Sequence, residues 1–154
     1  ARVSIAGIVA GVIEGSRGVR LLADESIDNI KSEQFDLMIL HGDQPGTNNL
    51  KKDPRVTALL KKGGYEKKLI GAICAAPIIL EKNGLLKKRK RTSHPSVKEP
   101  LLGDFYVEDR VVVDHNIITS RSPGTAMEFA FKLVEILFGK DRVKVVNNGV
   151  LANI

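Results

Sequence analysis

The chain has 154 residues, of which 43% are hydrophobic and 27% charged, as expected for one globular domain of ordinary size. Its net charge of +6 lies in lysine and arginine clusters at predicted element ends, and the chain has no tryptophan and only two tyrosines for base stacking. This favours a solvated basic surface over a nucleic-acid site. The single cysteine, the absence of an apolar run of ~18 residues and the absence of a signal-peptide pattern exclude a disulfide framework and a membrane span, and predict a cytoplasmic protein.

Short apolar runs bounded by turn residues predict most of the strands, and the polar segment 87–93 is predicted as a strand leading to His94 and Pro95. In chain order they are 3–6, 9–13, 19–22, 35–40, 69–73, 87–93, 105–107, 110–113 and 117–120, with 105–107 and 110–113 pairing antiparallel. Capping residues and prolines predict the helices, which are 27–33, 53–60 ended by two glycines, 75–82, 123–138 and 141–147. Strands that alternate with helices predict an α/β fold with a mainly parallel sheet, in one domain spanning 1–154.

Cys74 lies between the apolar run 69–73 and a helix that Pro77 opens. A cysteine at such a strand-to-helix turn has helix N–H groups near its sulfur, and their partial positive charge stabilises the thiolate. A lone cysteine is otherwise a small buried hydrophobic residue. From the local pattern, both interpretations stay open.

The segments 71–77 (GAICAAP) and 119–125 (TSRSPGT) resemble the ThiJ/PfpI superfamily, within it the branch of the Parkinson-associated protein deglycase and its bacterial relatives. The segment 92–95 (TSHP) and the loop 40–50 fit the same pattern, so the resemblance covers essentially the whole chain. It implies a flavodoxin-like three-layer sandwich, usually a homodimer, with a reactive cysteine at a nucleophile elbow.

The resemblance also implies a cofactor-free activity of glyoxalase or deglycase type on small reactive carbonyls or glycated side chains. A thiolate at Cys74 would attack the carbonyl carbon, and His94 lies where some relatives place a histidine near the cysteine. The oxyanion would be bound by backbone N–H groups at Gly42, Asp43 and Ala75. Arg17 and His41 are expected in substrate binding or, for Arg17, at the dimer interface. No metal is expected, because one cysteine and three dispersed histidines show no ligand spacing.

Two alternatives accompany this prediction. The first is a non-enzymatic chaperone of the same family in which Cys74 senses oxidation. The second is a cysteine peptidase, which is disfavoured because those relatives carry a histidine directly after the nucleophile, where this chain has Ala75.

The sequence departs from the family pattern in two important places. The oxyanion loop reads Leu-His-Gly-Asp at 40–43 instead of Leu-Pro-Gly-Gly, so Asp43 stands where glycine is usual. His41 and Asp43 either add acid and base groups beside Cys74 or are neutral variation. Relatives also begin with a further strand and a helix, which supply a glutamate to the cysteine; Glu14, Glu25 and Glu33 do not align with it. In the strand order 2-1-3-4-5, the missing strand leaves a gap. A separate N-terminal segment, removal of that segment or a rearranged sheet would each explain it.

Overall fold

The computed structural model describes residues 1–152. Its strands are β1 (Ala6–Gly7), β2 (Val12–Glu14), β3 (Arg20–Leu22), β4 (Glu25–Ser26), β5 (Leu37–Leu40), β6 (Leu69–Ile73), β7 (Val111–Asp114) and β8 (Ile117–Ser120). Its helices are α1 (Gly46–Lys52), α2 (Pro54–Tyr65), α3 (Pro77–Lys82), α4 (Ala126–Phe138) and α5 (Lys140–Val150). The alternation of strands and helices confirms the predicted α/β class.

The central sheet has the strand order β5-β6-β8-β7. β5 and β8 both run parallel to β6, whereas β7 pairs antiparallel with β8. Met38 lies opposite Ile70, which in turn lies opposite Ile117. β1 and β4 form a separate parallel pair, and β2 and β3 form a hairpin. The mainly parallel sheet is therefore confirmed.

Helices cover both faces of the central sheet, which makes three layers. On one face, Ile70 and Ala72 belong to a buried cluster that includes Leu60 of α2 and Ile79 of α3. On the other face, Leu69 and Ile73 pack on a second cluster formed by residues of β8 and α4: Ile118, Phe129 and Leu133. The side chains at even and odd positions of β6 therefore pack into the cores on opposite faces of the sheet, as in any strand buried on both faces.

The β1–β4 pair is not hydrogen-bonded to the central sheet. Within residues 1–152, β5 pairs with β6 only and β1 pairs with β4 only. β5 is consequently an edge strand, and Ile39 on it is 51% exposed. This separation agrees with the gap expected between the first strand and the rest of the sheet.

Several predicted elements are wrong in the first half of the chain. The predicted helix 27–33 is two 3-10 turns, Ile27–Asn29 and Ser32–Gln34. The helix α1 was not predicted. α2 continues past Leu60 to Tyr65, so Gly63 and Gly64 do not end it. Gly63 lies instead in the packed face of the helix, where a Cβ would lie 2.2 Å from Cε of Met38.

The predicted strands at 87–93 and 105–107 are also wrong. Arg91 and Tyr106 form one isolated parallel bridge, and β7 pairs with β8 rather than with 105–107. The side chain of Arg91, rather than a ladder of backbone hydrogen bonds, holds this segment in place. Arg91 is only 7% exposed, and its guanidinium donates to the carbonyl oxygens of Leu101 at 3.0 Å, Arg89 at 3.0 Å and Leu102 at 3.4 Å.

The substitution Arg91→Lys is expected to lower the free energy of unfolding by about 2 kcal/mol. An ammonium group keeps the charge but lacks the planar fork, so buried carbonyl groups lose their donors. Urea denaturation measures the effect, with Arg142→Lys on the exposed face of α5 as the matched control. A loss no larger than that of the control would show that the buried guanidinium does not organise this segment.

Candidate functional site

Cys74 forms the sharp turn between β6 and α3. Its φ of 65° lies in the left-handed region that residues other than glycine rarely adopt. Two backbone hydrogen bonds hold it there: Cys74 N–H donates to Ser120 O at 2.9 Å, and His94 N–H donates to Cys74 O at 2.8 Å. A non-glycine residue in this conformation between a strand and a helix has the geometry of a nucleophile elbow. The cysteine is free and partly exposed.

The loop after β5 packs directly on this elbow through Gly42. A Cβ on Gly42 would lie 2.6 Å from Cβ of Cys74, 2.7 Å from the nitrogen of Ala75 and 2.8 Å from the oxygen of Ile73. Only glycine fits at this contact. The N–H of Ala75 donates no hydrogen bond to another group in residues 1–152, so it is a free donor beside Cys74. Such a donor can bind an oxyanion that forms on the substrate.

Asp43, the residue that departs from the family pattern, has a φ of 80°. The position therefore requires the left-handed conformation for which glycine is favoured, and aspartate is among the residues that tolerate it best. Its carboxylate accepts a hydrogen bond from the Ser16 hydroxyl and another, at 2.8 Å, from Gln44 N–H. Its carbonyl oxygen accepts from Thr47 N–H at 2.9 Å.

These contacts determine the charge of Asp43. The Ser16 hydroxyl and then the Gln44 N–H hold the pKa of the Asp43 carboxyl below its usual value, with smaller contributions from the charges of Arg17 and His41. Asp43 is therefore ionised at neutral pH and acts as a hydrogen-bond acceptor. It is poorly suited to be the general acid that the loop sequence left open.

His94 lies next to Cys74 along its backbone, but its ring has another partner. Nδ1 accepts from Ser96 N–H at 3.1 Å and lies 2.8 Å from the Ser96 hydroxyl, so the ring caps the 3-10 turn Pro95–Val97. The neutral ring then carries its proton on Nε2. The thiol of Cys74 has no hydrogen-bond partner within the described part of the chain.

His41 and Arg17 are both exposed. Nδ1 of His41 lies 3.3 Å from the carbonyl oxygen of its neighbour Gly42. Arg17 lies in the turn between β2 and β3, and its charge acts on Asp43. The loop after β5 thus places Gly42 against Cys74, and His41 and Asp43 flank Gly42 in the chain. The charge of Arg17 acts on Asp43, and the backbone of His94 is hydrogen-bonded to that of Cys74.

The sequence prediction missed Ser16. It lies 27 residues before Asp43 and fastens the β2–β3 turn to the Cys74 loop. The signal available in the sequence was the pair Gly15 and Gly18, which marks a tight turn but does not say what that turn contacts.

No group of three or more histidine, cysteine, aspartate or glutamate side chains in residues 1–152 is arranged to hold a metal ion. Among the same residues, no helix is both long and apolar enough to cross a membrane.

The mainly parallel three-layer α/β sandwich is a flavodoxin-like fold, and the cysteine at its strand–helix turn has the geometry of a nucleophile elbow. The chain belongs to the DJ-1/PfpI family, whose model matches residues 1–136. This confirms the superfamily inferred from the two sequence motifs.

Relatives in animals and a parasite match over most of the chain. The Drosophila melanogaster protein dj-1beta is 42% identical over 153 residues, which are 97% of this chain and 82% of that protein. Its crystal structure superposes with a TM-score of 0.88, covering 92% of this chain and 77% of that one. The Caenorhabditis elegans glutathione-independent glyoxalase DJR-1.2 is 37% identical over 92% of this chain and 76% of its own. The structure of oxidized Toxoplasma gondii DJ-1 is 34% identical with a TM-score of 0.92, covering 96% of this chain and 82% of that one.

Proposed function

We propose that this protein is a cofactor-free cysteine enzyme of glyoxalase type that acts on small reactive carbonyls. The observation that carries the proposal is Cys74 itself, a partly exposed thiol at φ 65° with the free N–H of Ala75 beside it. The similarity to a C. elegans protein named as a glutathione-independent glyoxalase supports the same activity.

The proposed reaction begins when the Cys74 thiolate adds to the aldehyde carbon of methylglyoxal. The carbonyl electron pair moves to oxygen, where the N–H of Ala75 stabilises the negative charge before protonation gives a hemithioacetal. The proton on that carbon then moves to the neighbouring ketone carbon and the hydroxyl proton moves to the ketone oxygen, so the first carbon is oxidised to a thioester and the second is reduced to an alcohol. Water hydrolyses the thioester to lactate and restores the thiol.

Proton transfer needs an acid or base close to the reacting carbons. We assign the proton-donating role to His94, because its backbone is bound to Cys74 and the N–H at its Nε2 is free of the Ser96 contact. Gly42 and Asp43 complete the proposed oxyanion loop through their backbone, and His41 and Arg17 lie at its exposed side. Glycated side chains, which carry the same carbonyl-derived group, are the second substrate class.

Incubation of the purified protein with methylglyoxal is expected to give lactate without added glutathione or metal. Lactate is measured enzymatically against the uncatalysed rate at the same pH. Lactate formation no faster than the uncatalysed rate would contradict the proposed activity.

A redox-sensing chaperone is the second candidate function. The partly exposed Cys74 has no hydrogen-bond partner for its thiol within the described residues, and a solved structure of the related T. gondii protein is of its oxidized form. Mass spectrometry after mild peroxide discriminates between the two functions. Oxidation of Cys74 without methylglyoxal turnover would favour the sensor.

Three further features stay predictions. We propose a single domain over the whole chain, a homodimer and a cytoplasmic location, as the family resemblance implies. Sedimentation of the purified protein tests the dimer directly.

A further inference from the structure

The turn that joins β2 to β3 is closed by its own backbone. Gly15 N–H donates to Val19 O at 2.8 Å, and Gly18 N–H donates to Gly15 O at 2.9 Å. Backbone hydrogen bonds alone therefore close this turn. What connects this turn to the Cys74 loop is a side-chain hydrogen bond, donated by the Ser16 hydroxyl to the Asp43 carboxylate.

Asp43 offers the hairpin a fixed point of attachment. Its second carboxylate oxygen accepts from Gln44 N–H, and its carbonyl oxygen accepts from Thr47 N–H at the start of α1. The preceding residue, Gly42, is held against Cys74 by a contact that admits no side chain. A group bound to the Asp43 carboxylate is consequently held close to the cysteine.

Arg17 follows Ser16 directly, so the same hydrogen bond limits where its side chain can reach. Its guanidinium donates no hydrogen bond and forms no ion pair within 4 Å among residues 1–152, although its charge acts on Asp43. Both Asp43 carboxylate oxygens already have partners. The guanidinium therefore keeps its donors free, and guanidinium is the side-chain group best suited to bind a carboxylate.

We propose that Asp43 is a positioning residue, whose carboxylate binds the Ser16 hydroxyl and thereby holds the β2–β3 turn, with Arg17, next to the loop that contacts Cys74, so that the guanidinium attracts anionic reactants to the thiol. This inference rests on the proposed function. In that reaction the Arg17 guanidinium favours a carbonyl substrate that bears a carboxylate, and it stabilises the acidic product before release. The side chain at position 43 thus has a role distinct from that of the backbone N–H groups around it.

The test compares alkylation of Cys74 by iodoacetate, an anion, with alkylation by iodoacetamide, its neutral analogue. The measured quantity is the ratio of the two second-order rate constants at low salt, followed by intact mass. Ser16→Ala removes the hydroxyl and leaves every charge in place, and is expected to lower the ratio about threefold. Ser16→Thr keeps a hydroxyl and is expected to retain the ratio of the unmodified protein.

Arg17→Gln is expected to lower the ratio at least as far, and the double variant with Ser16→Ala no further than Arg17→Gln alone. Arg20→Gln, which removes a neighbouring exposed arginine of the same hairpin, is the charge-matched control and is expected to change the ratio little. Salt at 1 M is expected to reduce the preference in the unmodified protein.

An unchanged ratio in Ser16→Ala would overturn the proposal, as would equal losses in both alkylation rates, which indicate altered access alone. A ratio that falls as much in Arg20→Gln as in Arg17→Gln would also overturn it, since the effect would then be general charge. Alkylation requires no turnover. The alkylation ratios therefore test the positioning role of Asp43 independently of lactate formation, which tests the glyoxalase activity.

Discussion

Replacing Cys74 by serine is expected to lower kcat/KM for methylglyoxal by roughly a thousandfold or more. A serine hydroxyl is almost wholly protonated at neutral pH, and the described residues place no hydrogen-bonded base on the side chain at position 74 that would activate it. Serine is close in size to cysteine and the site is partly exposed, so the melting temperature is expected to change little. Initial rates of lactate formation measure the loss.

Labelling provides an independent check on the same residue. Iodoacetamide should abolish lactate formation in parallel with the addition of one carbamidomethyl group, because Cys74 is the single cysteine of the chain. If Cys74→Ser kept more than a tenth of the activity, or the fully labelled protein still turned over, the carbonyl would be attacked elsewhere.

The substitution Gly42→Ala is expected to lower kcat/KM about a hundredfold. Its Cβ would lie under 3.0 Å from Cβ of Cys74, the nitrogen of Ala75 and the oxygen of Ile73. Two of these are backbone atoms and the third is fixed to the backbone, so no side-chain rotation can relieve the contact. The loop must move away from the elbow, which displaces the oxyanion donors from the position at which charge develops.

Gly46→Ala is the matched control, because it adds the same methyl group four residues later, where no atom lies within 4 Å. It is expected to leave kcat/KM unchanged. Circular dichroism establishes that Gly42→Ala is folded. Near-normal activity in a folded Gly42→Ala protein would show that the loop does not need to contact Cys74 for catalysis.

Local sequence patterns were sufficient to predict the elements whose structure depends mainly on residues close together in the chain. The strand Leu69–Ile73 was predicted with its observed bounds, because an apolar run between charged residues and a proline has few alternatives. The position of Cys74 at a strand–helix turn followed from the same pattern. That Gly42 and Asp43 lie beside it followed from the family motif together with their location after a strand.

Contacts between distant segments were not predictable in the same way. The bond between Ser16 and Asp43 joins residues 27 positions apart, and neither residue type marks the other as its partner. In the sequence Gly63 is typical of a helix end. In the structure it lies inside α2, and its lack of a side chain leaves room for Met38 of β5. The segment 87–93 was predicted as a strand, but the Arg91 side chain binds three carbonyl oxygens and the segment forms one isolated bridge instead of a ladder.

The backbone conformation of Cys74 lowers the stability of the fold, while its thiol is the group that the proposed reaction needs. A φ of 65° costs a residue with a Cβ on the order of 1 kcal/mol relative to glycine, and the surrounding hydrogen bonds must maintain it. Substitution by glycine would therefore relieve the turn while deleting the thiol. Selection for thermal resistance alone, in the laboratory or in nature, would push this position away from cysteine. That the chain keeps cysteine here is what selection for a reactive thiol would produce.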